Sequence, residues 1–403
     1  MERYSEYKDS GVEWLGEIPR HWGLIKSKYL WKESFNISEQ GNEELLSVSQ
    51  YDGITPAKGD TRSEALDGYK IVKKDDLVIN IMLAWMGGLG ISAYNGIVSP
   101  AYCVYKLNHN YNPRFFHYLY KTPLYLSEFA KHSTGVIPSR WRMYTDDFGQ
   151  VLSLIPPIEE QNAIVAYLDK VTSKIDAAIA QQQKMIELLN ERKQIIINNA
   201  VTKGLEPTAK MKPSGIPWLG NIPAHWEVIR MRYLCRITTG NKDTINRVDD
   251  GIYPFYVRSP KVERINTYSY EGEAVLMAGD GVGAGKVFHY ATGKFDFHQR
   301  VYLFYDTRKI KARLLYYYLQ SNFKYVIEQL SAKSTVDSVR LNMIQDFPVL
   351  IPSEAEQNQI IASLDSHLST INALIAFIEK KISFLQERKH IIINDLVTGK
   401  VKL

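Results

Sequence analysis

Residues 10–22 read SGVEWLGEIPRHW, and residues 214–226 read SGIPWLGNIPAHW. The two stretches differ only at Val12/Ile216, Glu13/Pro217, Glu17/Asn221 and Arg20/Ala224, at an offset of 204 residues. A second pair lies downstream. Glu160-Gln161-Asn162 recurs as Glu356-Gln357-Asn358, Leu168-Asp169 as Leu364-Asp365, and ERKQIIIN at 191–198 as ERKHIIIN at 387–394, now at an offset of 196. The chain is two copies of one plan: a short W-L-G-x-I-P-x-H-W segment, a middle region, then a long helical segment. The fall in offset makes the second middle region the shorter one. The segments run 1–155, 156–205, 206–351 and 352–403. The middle regions, about 24–155 and 228–351, show little identity to each other. Equivalent frameworks holding unlike inserts point to two modules of different specificity. Two copies are too few for a solenoid.

Pro156-Pro157 and Pro352-Ser353 mark the helix starts, since proline is tolerated in a first turn. Ser353 and Glu356 have capping-box spacing. Ile164, Leu168, Val171, Ile175, Ala178, Gln182, Met185, Leu189, Arg192 and Ile196 alternate steps of four and three, the spacing of a coiled-coil seam. Ile361, Leu364, Leu368, Ile371, Ile375, Ile378, Ile382 and Leu385 repeat it. No proline interrupts either run, and each stops near a glycine, Gly204 or Gly399. A lone amphipathic rod cannot bury its stripe, so the two are expected to pair antiparallel. Val165, Ile179, Ile186 and Ile360 widen the stripe enough for a partner subunit as well.

The 403 residues allow two to three domains. A hydrophobic content of 45% supports sizeable cores and argues against disorder. The net charge of +5 is too small to diagnose a nucleic-acid partner by itself. Residues 158–205 are neutral and 353–400 carry −1, so the positive excess sits in the modules and flanks. Cys103 and Cys235 are too few for a disulfide scaffold or a cysteine zinc module. The start MERYSEYKDSG has no apolar signal region. Leu77 to Tyr105 carries no charge, but its asparagines, glycines and Pro100 read as two or three buried strands with turns, not as a span. No membrane is expected, and a cytoplasmic location is.

Enzyme motifs fail on inspection. Gly279-Asp280-Gly281-Val282-Gly283-Ala284-Gly285-Lys286 lacks the first glycine of a phosphate loop, where Asp280 stands, and the Ser/Thr after the lysine, where Val287 stands. Ala284 breaks the dinucleotide pattern. The stretch reads as a tight turn between strands, or as a backbone approaching DNA phosphate with Lys286 adding charge. Glu191-Arg192-Lys193 and Glu387-Arg388-Lys389 sit inside the helices and read as solvated faces. The nine histidines show no paired metal spacing. No G-x-S-x-G and no Asn-Pro-Pro-aromatic motif occurs. The sequence holds binding equipment and no catalytic constellation.

Basic residues interleaved with amides and aromatics stand at matching places in both modules. The first offers Lys131, Thr134, Ser139, Arg140, Trp141 and Arg142; the second offers Lys286, His298, Gln299, Arg300, Lys333, Ser334, Thr335 and Arg340. Arg and Lys suit guanine, Gln suits adenine, and hydroxyls hold phosphates. Trp141 can equally be core. Trp14, Trp22, Trp218 and Trp226 are the same in both copies, so they read as anchors or subunit contacts. His21 and His225 read as hydrogen-bonded packing residues.

The doubled S-G-x-x-W-L-G-x-I-P-x-H-W, the doubled E-Q-N helix start and the doubled E-R-K-x-I-I-I-N end together resemble the specificity subunit of Type I restriction-modification enzymes. The resemblance covers the whole chain. It implies an α+β chain of two globular α/β target recognition domains joined by two long antiparallel coiled-coil helices, with an internal pseudo-two-fold repeat. Each domain would read one half of a bipartite, asymmetric double-stranded DNA target, and the helices would set the spacer. It implies a non-catalytic subunit of a host-defence complex. The helices would dock two modification subunits that methylate adenine; Ile164, Leu168, Ile175, Leu189, Leu364, Leu368, Ile371, Ile378 and Leu385 are the candidate interface. Restriction subunits would join the full complex. It implies no cofactor or metal in this chain, with S-adenosylmethionine, ATP and Mg on the partners. The alternatives are an adaptor with protein-binding modules, a fused enzyme with its own catalysis, and the specificity subunit of a methylation-only complex.

Overall fold

A computed structural model of the chain describes residues 2–50, 53–57, 66, 68–108, 110–137, 141–331 and 338–403. They fall into two compact units, one formed by residues 1–182 with 380–403 and the other by residues 183–379.

The first unit is built on a four-stranded antiparallel sheet in the order Trp31–Glu33, Tyr102–Leu107, Leu77–Asn80, Leu89–Ile91. Successive side chains of a strand face opposite sides, and here both sides are covered. Leu77, Ile79 and Tyr105 enter the main core with the helices Pro113–Tyr120 and Pro123–Lys131. Val78 and Val104 enter a second core with Leu46, Val48 and Ile54. A sheet buried on both faces reads as a continuous apolar run, which explains the uncharged stretch 77–105. That stretch holds four strands, Leu77–Asn80, Leu89–Ile91, Gly96–Val98 and Tyr102–Leu107, more than the two or three expected.

The second unit repeats the sheet in the same order: Arg236–Thr239, Val301–Tyr305, Ala274–Ala278, Phe288–Ala291. Val275, Met277 and Phe304 face one core, and Leu276, Val301 and Leu303 face another. The helix Ala312–Asn322 covers the first of these cores. The outer layers differ. The first unit uses two separate strand pairs, whereas the second uses a four-stranded sheet that includes a parallel pairing of Tyr253–Tyr256 with Lys294–Phe297. A shared inner sheet under unlike outer layers accounts for a common plan with little identity.

The long helices are Ile158–Lys203, of 46 residues, and Glu354–Val397, of 44 residues. Each begins just past its prolines. Each ends on a left-handed glycine, Gly204 at φ +76° and Gly399 at φ +72°. Their pairing is antiparallel. In the first unit Ile164, Val165 and Leu168, near the start of one helix, share a core with Leu396 and Val397 at the end of the other. In the second unit Ile197, Ala200 and Val201 share a core with Ile360, Leu364 and Leu368. Ile164, Leu168, Ile175, Leu189, Leu364, Leu368, Ile371 and Ile378 are buried, and Leu385 is half-buried.

Two seam positions are corrected. Met185 and Arg192 face solvent, while Ile186 and Lys193 turn inward. A straight helix drifts about 20° per heptad against a 3.5-residue repeat, so a seam projected from residue 164 is displaced one position by residue 185. Nor are the Glu-Arg-Lys triplets merely solvated. Lys193 donates to Asn372 Oδ1 at 3.1 Å, and its counterpart Lys389 binds Asp176 at 2.7 Å. The second long helix is also apolar and long enough to meet a length-and-composition test for a span.

The doubled motifs form one latch in each unit. Trp22 and Trp226 are fully buried. An indole of this size hides about 200 Å², a gross gain of roughly 5 kcal/mol. Trp22 Nε1 donates to Glu160 at 3.2 Å and His21 bonds the same carboxylate at 2.8 Å. Trp226 Nε1 and His225 treat Glu356 alike, at 3.1 and 2.9 Å. Gln161 accepts from the Asn112 N–H at 3.0 Å, at the cap of Pro113–Tyr120. Gln357 accepts from the Lys311 N–H at 2.9 Å, at the cap of Ala312–Asn322. Asp169 takes Arg114 and Tyr118; Asp365 takes Arg313 and Tyr317. The repeated residues thus join each module to its own long-helix start.

Candidate nucleic-acid interface

In the second unit the glycine turn runs from Ala278 to Phe288, between two strands paired antiparallel. Gly281 and Gly285 take φ of +70° and +62°. At Gly279 the reason for glycine is space: a Cβ there would lie 2.8 Å from the Tyr302 ring and 3.1 Å from the Arg300 carbonyl. The Gly279 N–H donates to that carbonyl at 2.8 Å, and the Gly279 carbonyl accepts from Val339 at 2.7 Å. The turn is thereby held between the loop 298–300 and the segment 338–340. These elements line a cleft of about 280 Å³ with Thr239, Gln299, Arg300, Tyr302 and Arg340.

Charge in this cleft is arranged by two carboxylates. Asp280 binds Arg258 Nη1 at 3.0 Å and Arg300 Nε at 3.5 Å. Asp243 accepts from Gln299 Nε2 at 2.7 Å. Lys286 is exposed on the turn, and Val282 at its tip is almost entirely in solvent. Arg340 is exposed just ahead of the short helix Leu341–Gln345. Gln299, Arg300 and Arg340 therefore line one cleft, and Lys286 is exposed on the turn beside Gly285.

Of the candidate contacts, His298 is turned inward. It is 2% exposed, and its Nδ1 accepts the Arg300 N–H at 2.9 Å. Burial, and after it the charge of Arg258, holds the imidazole below its ordinary range, against Asp243 and Asp280. The neutral ring fixes the 298–300 loop from within. Sequence gave no sign of this inward orientation, because His298 lies between exposed and buried neighbours.

The equivalent edge of the first unit has another chemistry. The Ile81 carbonyl accepts from Met143 at 2.9 Å, as Gly279 does from Val339. Thr134 and Arg142 exchange backbone bonds at 3.0 Å, and both are exposed. Trp141 is half-buried and packs edge-on against Trp85 at 5.4 Å, so it is neither full core nor free. Met82 and Met86, next in sequence to Ile81 and Trp85, and Val136 and Ile137, just past Thr134, expose apolar surface. Lys131 is tied to Glu128 at 3.2 Å. Ser139, Arg140, Lys333, Ser334 and Thr335 lie outside the described residues. Sequence reasoning missed Arg258, Asp280 and Asp243; the acidic residue that breaks the phosphate-loop pattern was the available signal for Asp280.

Residues 223–383 match the family of the Type I restriction modification DNA specificity domain. The Type I restriction enzyme EcoDI specificity subunit of Escherichia coli is 30% identical over 182 residues, 45% of this chain and 40% of that one. The MjaVIII specificity subunit of Methanocaldococcus jannaschii is 26% identical over 62% of each chain. The putative MjaX specificity subunit of the same organism is 23% identical over 96% of each. The first two alignments thus span less than two thirds of those relatives. A chain from a structural study of complex assembly in the type I restriction-modification system superposes with a TM-score of 0.71 at 15% identity, covering 94% of this chain and 98% of that one. The HsdS subunit of Thermoanaerobacter tengcongensis gives 0.50 at 15% identity, over 95% and 98%. Residues 223–383 are thus similar to this family's domain, and the resemblance borne by the doubled motifs holds.

Proposed function

We propose that this chain, whose residues 223–383 are similar to the Type I restriction modification DNA specificity domain, is the sequence-reading subunit of a Type I restriction-modification complex. Each unit reads one half of a bipartite, asymmetric duplex. The observation that carries this reading is the contrast between the units. The same latch and the same inner sheet present a charged, amide-bearing edge in one and an aromatic, apolar edge in the other. A shared scaffold with unlike edges suits two different half-sites. Phosphate contacts from Lys286, Arg340 and Arg142 position the duplex, and base contacts in the grooves specify it.

The partners follow from the helices. Each keeps an exposed apolar row outside the buried seam: Leu188 and Ile195 on one, and their counterparts Phe384 and Ile391 on the other, between 48% and 56% exposed. This row suits two modification subunits. Those subunits would hold S-adenosylmethionine and methylate a flipped adenine, and restriction subunits with ATP and Mg would complete the assembly. The chain itself then supplies recognition without catalysis, in the cytoplasm with its DNA.

The test is duplex binding by the co-purified complex across a salt series. Sequence-selective binding that weakens steeply with salt is expected. Binding indifferent to sequence and salt, or no binding, would favour the adaptor reading.

A further inference from the structure

In the second unit's cleft the geometry of Arg300 differs from that of its neighbours. Arg300 meets Asp280 through Nε, at 3.5 Å. Among the described residues its two terminal nitrogens, Nη1 and Nη2, have no hydrogen-bond partner. Those two nitrogens are the pair that spans O6 and N7 of guanine in the major groove. The guanidinium is largely in solvent, at 63% exposure, while Asp280 beneath it is at 19%. An exposed ion pair of this kind adds little to stability, so its main consequence is direction. Several contacts fix that direction. Arg258 holds the far side of Asp280 at 3.0 Å. The Gly279 N–H binds the Arg300 carbonyl at 2.8 Å. His298 Nδ1 takes the Arg300 N–H at 2.9 Å.

The neighbouring candidates lack this combination. Gln299 has its amide nitrogen engaged by Asp243. Arg340 lines the same cleft without a carboxylate brace among the described residues. Resting on the reading that this unit binds DNA, we propose that Arg300 reads a guanine in the half-site of the second unit, with Asp280 as its positioning residue. Arg258 keeps Asp280 neutralised against the phosphates, and Arg340 contacts the backbone without base preference.

The experiment is mapping of methylated adenine in cells that carry the whole complex, with this chain as wild type, Arg300→Lys, Asp280→Asn or Arg340→Ala. Lysine keeps the charge at an exposed position and removes only the fork. The expected result for Arg300→Lys is a roughly 5- to 150-fold loss of discrimination at one guanine position, the range of one bidentate base contact. The other half-site should be unchanged. Asp280→Asn should relax the same position, and Arg340→Ala should lower methylation evenly with the motif intact. An unchanged motif in Arg300→Lys, or a uniform fall or complete loss of methylation there, overturns the guanine assignment. Relaxation in Arg300→Lys with none in Asp280→Asn overturns the positioning role. A wild-type chain on which no motif depends would instead defeat the DNA-reading assignment itself.

Discussion

Gln357→Met isolates what the repeated glutamine does. The side chain is 3% exposed. Its Nε2 donates to the Lys309 carbonyl at 2.7 Å and the Pro352 carbonyl at 3.1 Å, and its Oε1 accepts from the Lys311 N–H at 2.9 Å. Methionine matches the length and leaves three backbone groups without their partner. An orphaned buried group costs about 1–3 kcal/mol. An open cleft borders Lys309, Lys311 and Pro352, so water reaches part of this site and the lower bound applies. The expected loss is about 3 kcal/mol at about 1 kcal/mol per group. Gln161 makes two such bonds, from Asn112 N–H and to the Pro156 carbonyl, so Gln161→Met should cost about 2 kcal/mol on the same basis. Urea denaturation followed by circular dichroism measures the loss, and hydrogen exchange localises it. Protection should fall at 311–315 in one variant and at 112–116 in the other. A loss below about 0.5 kcal/mol in both, or exchange unchanged at those caps, would refute the latch, since each bond is set at about 1 kcal/mol.

Gly399→Ala should destabilise by roughly 2–4 kcal/mol, because a Cβ in the left-handed region would also lie 2.5 Å from Pro19 Cδ. Gly204→Ala should cost less, since its nearest neighbour, Trp226 Cζ2, is at 3.2 Å; thermal unfolding ranks the two, and the reverse order would contradict the packing. His117 is pushed down to about 4 by burial first, then by Lys121 and Arg114, against Asp169. Its Nδ1 accepts the Ile91 N–H at 3.2 Å. With the folded value below the ordinary 6.5, the unfolded chain binds the extra proton. The contribution is therefore complete above pH 6.5 and is lost as pH falls towards 4. Its ceiling is about 3 kcal/mol, and His117→Gln should flatten stability against pH in that window. Four residues inserted into each long helix at matched positions add about 6 Å. Under the proposed function the mapped motif should keep both halves and gain one or two spacer positions, and altered half-sites would count against the spacer role.

The doubling, the long helices and their antiparallel pairing were legible because they rest on local residue types at fixed spacing. What each doubled residue does was not. Gln161 meets Asn112 and Glu160 meets Trp22 across long stretches of chain, and a single sequence names no such partners. The seam was readable as far as Gln182 and failed at Met185 and Arg192, where accumulated helical drift decides. The shared inner sheet was hidden because its strands are constrained only to be apolar, so Leu77-Val78-Ile79 and Val275-Leu276-Met277 satisfy one geometry with unlike residues. In the cleft, composition found Gln299 and Arg300. Only geometry separates a guanidinium whose fork has no partner among the described residues from an amide already engaged and an imidazole turned inward.

The most direct test of the account is genome-wide mapping of methylated adenine in cells containing this chain and its modification partner, against cells lacking only this chain. The account predicts a motif in two parts with an unspecified spacer, present in the first and absent in the second. The same methylation in both would contradict it.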